Sequence, residues 1–172
     1  MIAPASQSSG SQSTARERRA ARLGAVQAIY QMELTGADAE SIIQEFVDHR
    51  FAREPETAMA GTADEEFFSA IVRGVPHNQV EIDRAIAGCL SEDWKLSRID
   101  SILRAIMRAA TYELAMRKDV PARVVIDEYV ELAHAFFPGD EPSFVNAALD
   151  RLAHMKRAPE FGEVPPDDEL QF

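Results

Sequence analysis

Apolar residues in this chain recur every three or four positions and almost nowhere every second one. That rhythm constrains the fold more than any other feature, because it lines one face of a helix and leaves no alternation for a strand. In residues 14–34 the stripe is Leu23, Val26, Tyr30 and Leu34. In 37–53 it is Ile42, Ile43, Phe46 and Val47, with Asp38 placed as an N-cap. Residues 64–75 carry Phe67, Phe68, Ile71, Val72 and Val75, and 78–90 carry Val80, Ile82, Ile86 and Leu90. Residues 97–118 present a broad face of Ile99, Ile102, Leu103, Ile106, Met107, Ala110 and Leu114, with Arg117 and Lys118 suited to the negative end of the helix dipole. After Pro121, Val125, Tyr129, Leu132 and Phe136 make one stripe and Ile126, Val130, Ala133 and Phe137 a second, so this helix should be central. Residues 143–157 bury Val145, Ala148, Leu149 and Leu152.

The punctuation agrees. Gly36 stops the first helix, Pro55 and Gly61 mark a loop over 54–62, Pro76 breaks or kinks a helix, Trp94 sits in a turn, and 138–142 reads PGDEP. The pattern predicts an all-α fold of about seven helices over residues 14–157. Residues 1–13 have neither a basic nor an apolar run, so they read as a disordered leader rather than a signal peptide. Residues 158–172 hold five acids, three prolines and no Lys or Arg, and read as a disordered acidic tail. No apolar run approaches the roughly 18 to 20 residues that cross a bilayer. The single cysteine, Cys89, excludes an internal disulfide and points to a reducing, cytoplasmic setting.

Against a net charge of -11, one stretch is basic. Arg16, Arg18, Arg19 and Arg22 crowd the start of the first helix, opposed only by Glu17. Thr14 and Glu17 read as a capping box there, and Gly24 marks a close helix contact. Arg19 lies on the azimuth of the apolar stripe, so the first turns should overhang the body. Arg18 and Arg22 share a neighbouring face at i, i+4. The cluster reads as a phosphate-binding patch or as a solvated helix start.

Catalytic chemistry leaves no such trace. His49, His77, His134 and His154 are scattered, with no zinc spacing, and GxSxG, GxxxxGK[ST] and GxGxxG after a strand are all missing. Cys89 reads as a buried small residue. The acids cluster where helix starts and solvated faces expect them. Neither an enzyme nor a cofactor is predicted. Phe144, in the first turn of the last helix, reads as a core-edge residue or as a platform for an unstacked base, and Asn146 beside it suits a base edge or a backbone cap.

Five blocks in order now form a known pattern: RRAARLGAVQAIYQMEL from Arg18, IVRGVPHNQVEID from Ile71, MRAATYEL from Met107, DVPARVVIDEYVELA from Asp119 and FVNAALDRLA from Phe144. Across residues 18–153 the chain resembles the NusB family of bacterial transcription antitermination factors. The resemblance implies two small helical bundles packed together, over about 14–76 and 77–157, and a non-enzymatic role. It implies pairing with the small-subunit ribosomal protein NusE, binding of single-stranded boxA RNA in rRNA transcripts, and entry with NusA and NusG into the elongating RNA polymerase complex. It implies RNA contacts at Arg18, Arg19, Arg22, Phe144, Asn146 and Asp140, and it leaves a homodimer open. The basic run is shorter than in many members, with Ala20 where another basic residue is common. Three or four arginine–phosphate contacts, at a slope of about -0.7 each, would lose roughly 20- to 50-fold in affinity between about 50 and about 200 mM salt, so a basic partner is expected. The alternatives are a helical interaction scaffold without RNA recognition and a fragment of an rRNA cytosine methyltransferase, the latter needing a cofactor-binding domain after residue 157.

Overall fold

The computed structural model describes residues 8–51, 63–91 and 94–164. Among these residues there are seven α-helices and no strand. The helices are α1 (Ser8–Thr35), α2 (Ala39–Glu45), α3 (Glu65–His77), α4 (Gln79–Cys89), α5 (Ser101–Met116), α6 (Ala122–Phe136) and α7 (Glu141–Lys156). A π-helical turn, Phe46–Phe51, continues α2. The described residues divide into two compact units between Val72 and Arg73, inside α3.

In the first unit, α1 starts at Ser8, so Thr14 and Glu17 lie within the helix rather than capping it. The expected leader therefore has helical backbone over 8–13, and residues 1–7 lie outside the described residues. Gly36, at φ 72°, ends the helix in the left-handed region that favours glycine. Asp38 caps α2 as expected, accepting a 2.9 Å hydrogen bond from the Ser41 backbone N–H, and this bond holds its carboxyl below the usual carboxylate range.

The buried face of α1 departs from the expected stripe. Ala21, Ala25, Val26, Ala28 and Ile29 are buried, whereas Leu23 and Tyr30 are half-buried and Leu34 is 63% exposed. Small residues let a neighbour approach closely, which a reading weighted toward large apolar side chains does not detect. Gly24 belongs to the same face. A Cβ there would lie 2.9 Å from the Phe51 ring and 3.4 Å from Phe68, so the predicted close contact is real. Phe51 meets Phe68 edge-on at 4.8 Å and Phe68 stacks on Phe46 at 5.3 Å, forming an aromatic cluster against the helix. The loop expected at 54–62 lies outside the described residues.

In the second unit, α6 is central as predicted, burying Val125, Ile126, Tyr129, Leu132 and Ala133. Arg108 of α5 makes a two-pronged pair with Asp83 of α4, at 2.9 and 3.0 Å. Gly74 of α3 lies so close to the Tyr112 ring of α5 that an added Cβ would overlap it. Pro76 does not break α3 at once, since the helix runs one residue further and α4 begins at Gln79. Pro142, expected in a turn, belongs to the first turn of α7, where its missing N–H costs no bond.

One expectation near the end of the chain is corrected. Arg117 stands at the C-cap of α5 and pairs with Asp119 at 2.9 Å. The carbonyls there are met by Arg157, which is 4% exposed. Its Nε donates to Leu114 O at 2.6 Å, and its Nη atoms donate to Glu113 O, Arg117 O and Val120 O at 3.2, 2.8 and 3.0 Å. A fifth bond goes to the Glu160 carboxylate at 3.1 Å. Residues 158–164, expected in a disordered tail, are consequently ordered. A 3-10 turn, Ala158–Phe161, buries Ala158, and Phe161 stacks on His154 at 4.0 Å. Residues 165–172 lie outside the described residues.

Candidate nucleic-acid interface

The expected contacts divide between the two units. Arg18, Arg19 and Arg22 belong to the first; Asp140, Phe144 and Asn146 belong to the second.

In the first unit the arginines differ sharply in access. Arg16 and Arg19 are exposed, Arg18 is half-buried, and Arg22 is 3% exposed. Arg18 and Arg22, one turn apart, both place their guanidinium groups over the Phe67 ring, at 4.7 and 5.0 Å from its centroid. Arg18 Nε also lies 3.8 Å from a carboxylate oxygen of Asp64. The two residues do share a face, as the i, i+4 spacing predicted, but the face is covered by α3. Arg22 is thereby placed as a packed cation rather than a presented one. The run of exposed residues Thr14–Arg16 ends at Glu17, which is half-buried. Arg19 is exposed because the buried face runs through Ala21 and Ala25, so no long overhang is needed.

In the second unit, Asp140 is the exposed N-cap residue of α7, and its side chain accepts no capping bond. Asn146 is exposed and Phe144 half-buried, while Val145 between them is fully buried. Phe144 stacks on Trp94, with centroids 4.9 Å apart and planes 30° apart. Trp94 is itself 49% exposed. Sequence reasoning placed Trp94 only in a turn. Its partner lies fifty positions away, beyond any local pattern.

The remaining reactive groups are housed structurally. Cys89 is buried, its Sγ 3.7 Å from Met155 Sδ, and burial pushes its thiol above the ordinary range despite Arg151 and Lys156 nearby. Arg151 of α7 donates to the Cys89 carbonyl at 3.2 Å, serving the end of α4. Among the described residues no group of three or more His, Cys, Asp or Glu side chains could hold a metal ion. No helix of the described residues is long and apolar enough to cross a membrane.

A family model described as the NusB family matches residues 19–154. The transcription antitermination protein NusB of Maricaulis maris is 52% identical over 160 residues, covering 93% of this chain and 100% of that protein. The NusB of Caulobacter vibrioides is 50% identical over 140 residues, 81% of this chain and 94% of its own length. Among solved structures, NusB of T. maritima aligns with a TM-score of 0.69 at 32% identity, covering 84% of this chain and 96% of that one. A crystal structure of the antitermination factors NusB and NusE in complex with dsRNA aligns at 0.66 and 23% identity, over 80% of this chain and 96% of that one, and bears on the fold alone.

Proposed function

Because the chain belongs to the NusB family, we propose that it is an RNA-binding transcription antitermination factor. With NusE it binds single-stranded boxA RNA of rRNA transcripts, and the pair joins the elongating RNA polymerase with NusA and NusG in the cytoplasm. The observation that carries this reading is identity of 52% across the whole length of a relative named for transcription antitermination.

The chemistry of the two units supports it. Arg19 and Arg18 supply phosphate contacts, Arg19 openly and Arg18 by exchanging Asp64 for a phosphate oxygen. Arg22 acts indirectly, packing against Phe67 so that α1 holds its exposed arginines in place. In the second unit Phe144 offers a ring to a base, while Asn146 and Asp140 offer polar groups to base edges or to sugar hydroxyls.

Magnitudes argue for a partner. Two phosphate contacts, at a slope of about -0.7 each, lose only about 7-fold in affinity when salt rises fourfold. So small an electrostatic contribution, on a chain of net charge -11, holds RNA weakly. A basic protein such as NusE would extend the surface and offset the acidic field.

Substitution tests the assignment. The double variant Arg18→Ala/Arg19→Ala should weaken boxA binding while leaving helicity and NusE binding intact. Phe144→Ala should lose about 1 to 3 kcal/mol of RNA affinity if its ring stacks on a base. Unchanged RNA affinity in both variants would remove these residues from the site.

A further inference from the structure

We propose that Trp94, stacked on Phe144 and followed by exposed Lys95 and Arg98, is a second base-stacking position for single-stranded RNA. The inference rests on the RNA-binding reading above and extends it to the segment between α4 and α5.

A tryptophan that merely sealed the core would bury its ring, since tryptophans are highly buried on average. Trp94 instead leaves 49% of its surface open while meeting Phe144. The stacked Trp94 ring extends the aromatic surface of Phe144, and bases stack on such a surface without regard to their identity. Lys95 and Arg98 are both exposed, so the segment 94–98 adds two cations beside this surface in an acidic chain. An aromatic interleaved with cations is the composition that holds a single strand, with rings taking bases and cations taking phosphates.

The segment is also held in place. Arg104 of α5 donates from Nη1 to the Leu96 and Ile99 carbonyls at 3.0 and 3.1 Å, and from Nη2 to Ser101 Oγ at 3.3 Å. The Trp94 N–H donates to Ser91 O, and the Arg98 N–H to Lys95 O, each at 2.9 Å. Asp100 caps α5 through the Ile102 N–H at 2.8 Å, fixing where the segment ends. A strand of RNA meeting this segment would therefore spend little affinity on ordering its backbone.

Trp94 is the only tryptophan of the chain, so its emission reports on this position directly. The full chain is titrated with single-stranded boxA RNA, with tryptophan-free NusE present, and Trp94 emission is followed beside the anisotropy of labelled RNA. Quenching should saturate at the same RNA concentration as the anisotropy. Trp94→Ala should weaken RNA binding roughly 5- to 150-fold, and Trp94→Phe should recover most of the loss. Lys95→Ala with Arg98→Ala should lower the logarithmic salt slope by about 1.4. If Trp94→Ala loses helicity, the wild-type emission and Trp94→Phe still decide. Binding by anisotropy with constant Trp94 emission overturns the inference and leaves the function standing. So does an emission change produced by NusE alone and unaltered by RNA, which would assign Trp94 to the protein partner. No anisotropy change with NusE present fails the RNA-binding reading itself, and this inference with it.

Discussion

Replacing Arg157 by alanine should be among the most destabilising single changes in the second unit. The guanidinium has five N–H donors, and the structure uses them on four backbone carbonyls and one carboxylate, Leu114, Glu113, Arg117, Val120 and Glu160. Three of the carbonyls end α5 or follow it directly; Glu113 O and Arg117 O also accept backbone N–H groups, from Arg117 and Val120 at 2.9 and 3.0 Å, so the guanidinium adds a second bond to each. Hydrogen bonds to a charged group contribute about 1.5 to 3 kcal/mol each, but losses within one network are not additive. Water reaching the vacated site would serve some carbonyls. Removing one member of a buried charged network costs about 3 to 5 kcal/mol, the loss expected for Arg157→Ala. For a chain of this size it corresponds to a fall in Tm of roughly 6 to 20 °C. Arg157→Lys keeps the charge but not the planar fork, so it should recover only part of the loss. Thermal unfolding followed by circular dichroism, with Trp94 emission as a probe within the second unit, gives the measurement. A loss below about 1 kcal/mol for Arg157→Ala would show that solvent serves these carbonyls equally well, and would refute the clamp.

Other outcomes follow from the same structure. Gly74→Ala should destabilise by about 1 to 3 kcal/mol, because its Cβ would overlap the nearly buried Tyr112 ring, and chemical denaturation would register it. Gly88→Ala meets nothing within 4 Å and should stabilise by up to about 1 kcal/mol through helix propensity, so the two glycines should shift the denaturation midpoint in opposite directions. Burial raises the Cys89 thiol, so iodoacetamide at pH 8 should alkylate the native chain far more slowly than the urea-unfolded chain, as mass spectrometry would report; equal rates would contradict the burial. Arg22→Ala should lower stability through lost packing on Phe67, and its effect on RNA binding should be smaller than that of Arg19→Ala in the same titration.

The helices were legible because each carries its own apolar rhythm and punctuation. Asp38 caps α2, Gly36 stops α1, and the double stripe after Pro121 marks a central α6, all from local sequence. What escaped local reading was long-range. The packed face of α1 is largely alanine, with Gly24 against Phe51 and Phe68, whereas hydropathy alone favours Leu23 and Leu34. Arg22 has the composition of a surface cation, yet Phe67 of α3, forty-five positions on, meets it. The acids after residue 157 suggested disorder, but Arg157 and His154 each engage one of them, Glu160 at 3.1 Å and Glu163 at 2.9 Å. At the candidate site, Phe144 and Asn146 could be picked out from residue type and place, whereas Trp94 gained meaning only from its stack on Phe144.

The central claim is that this chain recognises boxA RNA as one half of a pair. The direct measurement is a titration of boxA RNA and of a scrambled single strand of equal length against the full chain, with and without NusE. The chain alone should bind both strands weakly and with salt sensitivity, and with NusE added it should bind tightly and prefer boxA. Equal affinity for the two strands in both states would contradict that claim, and would leave a helical interaction module without RNA recognition.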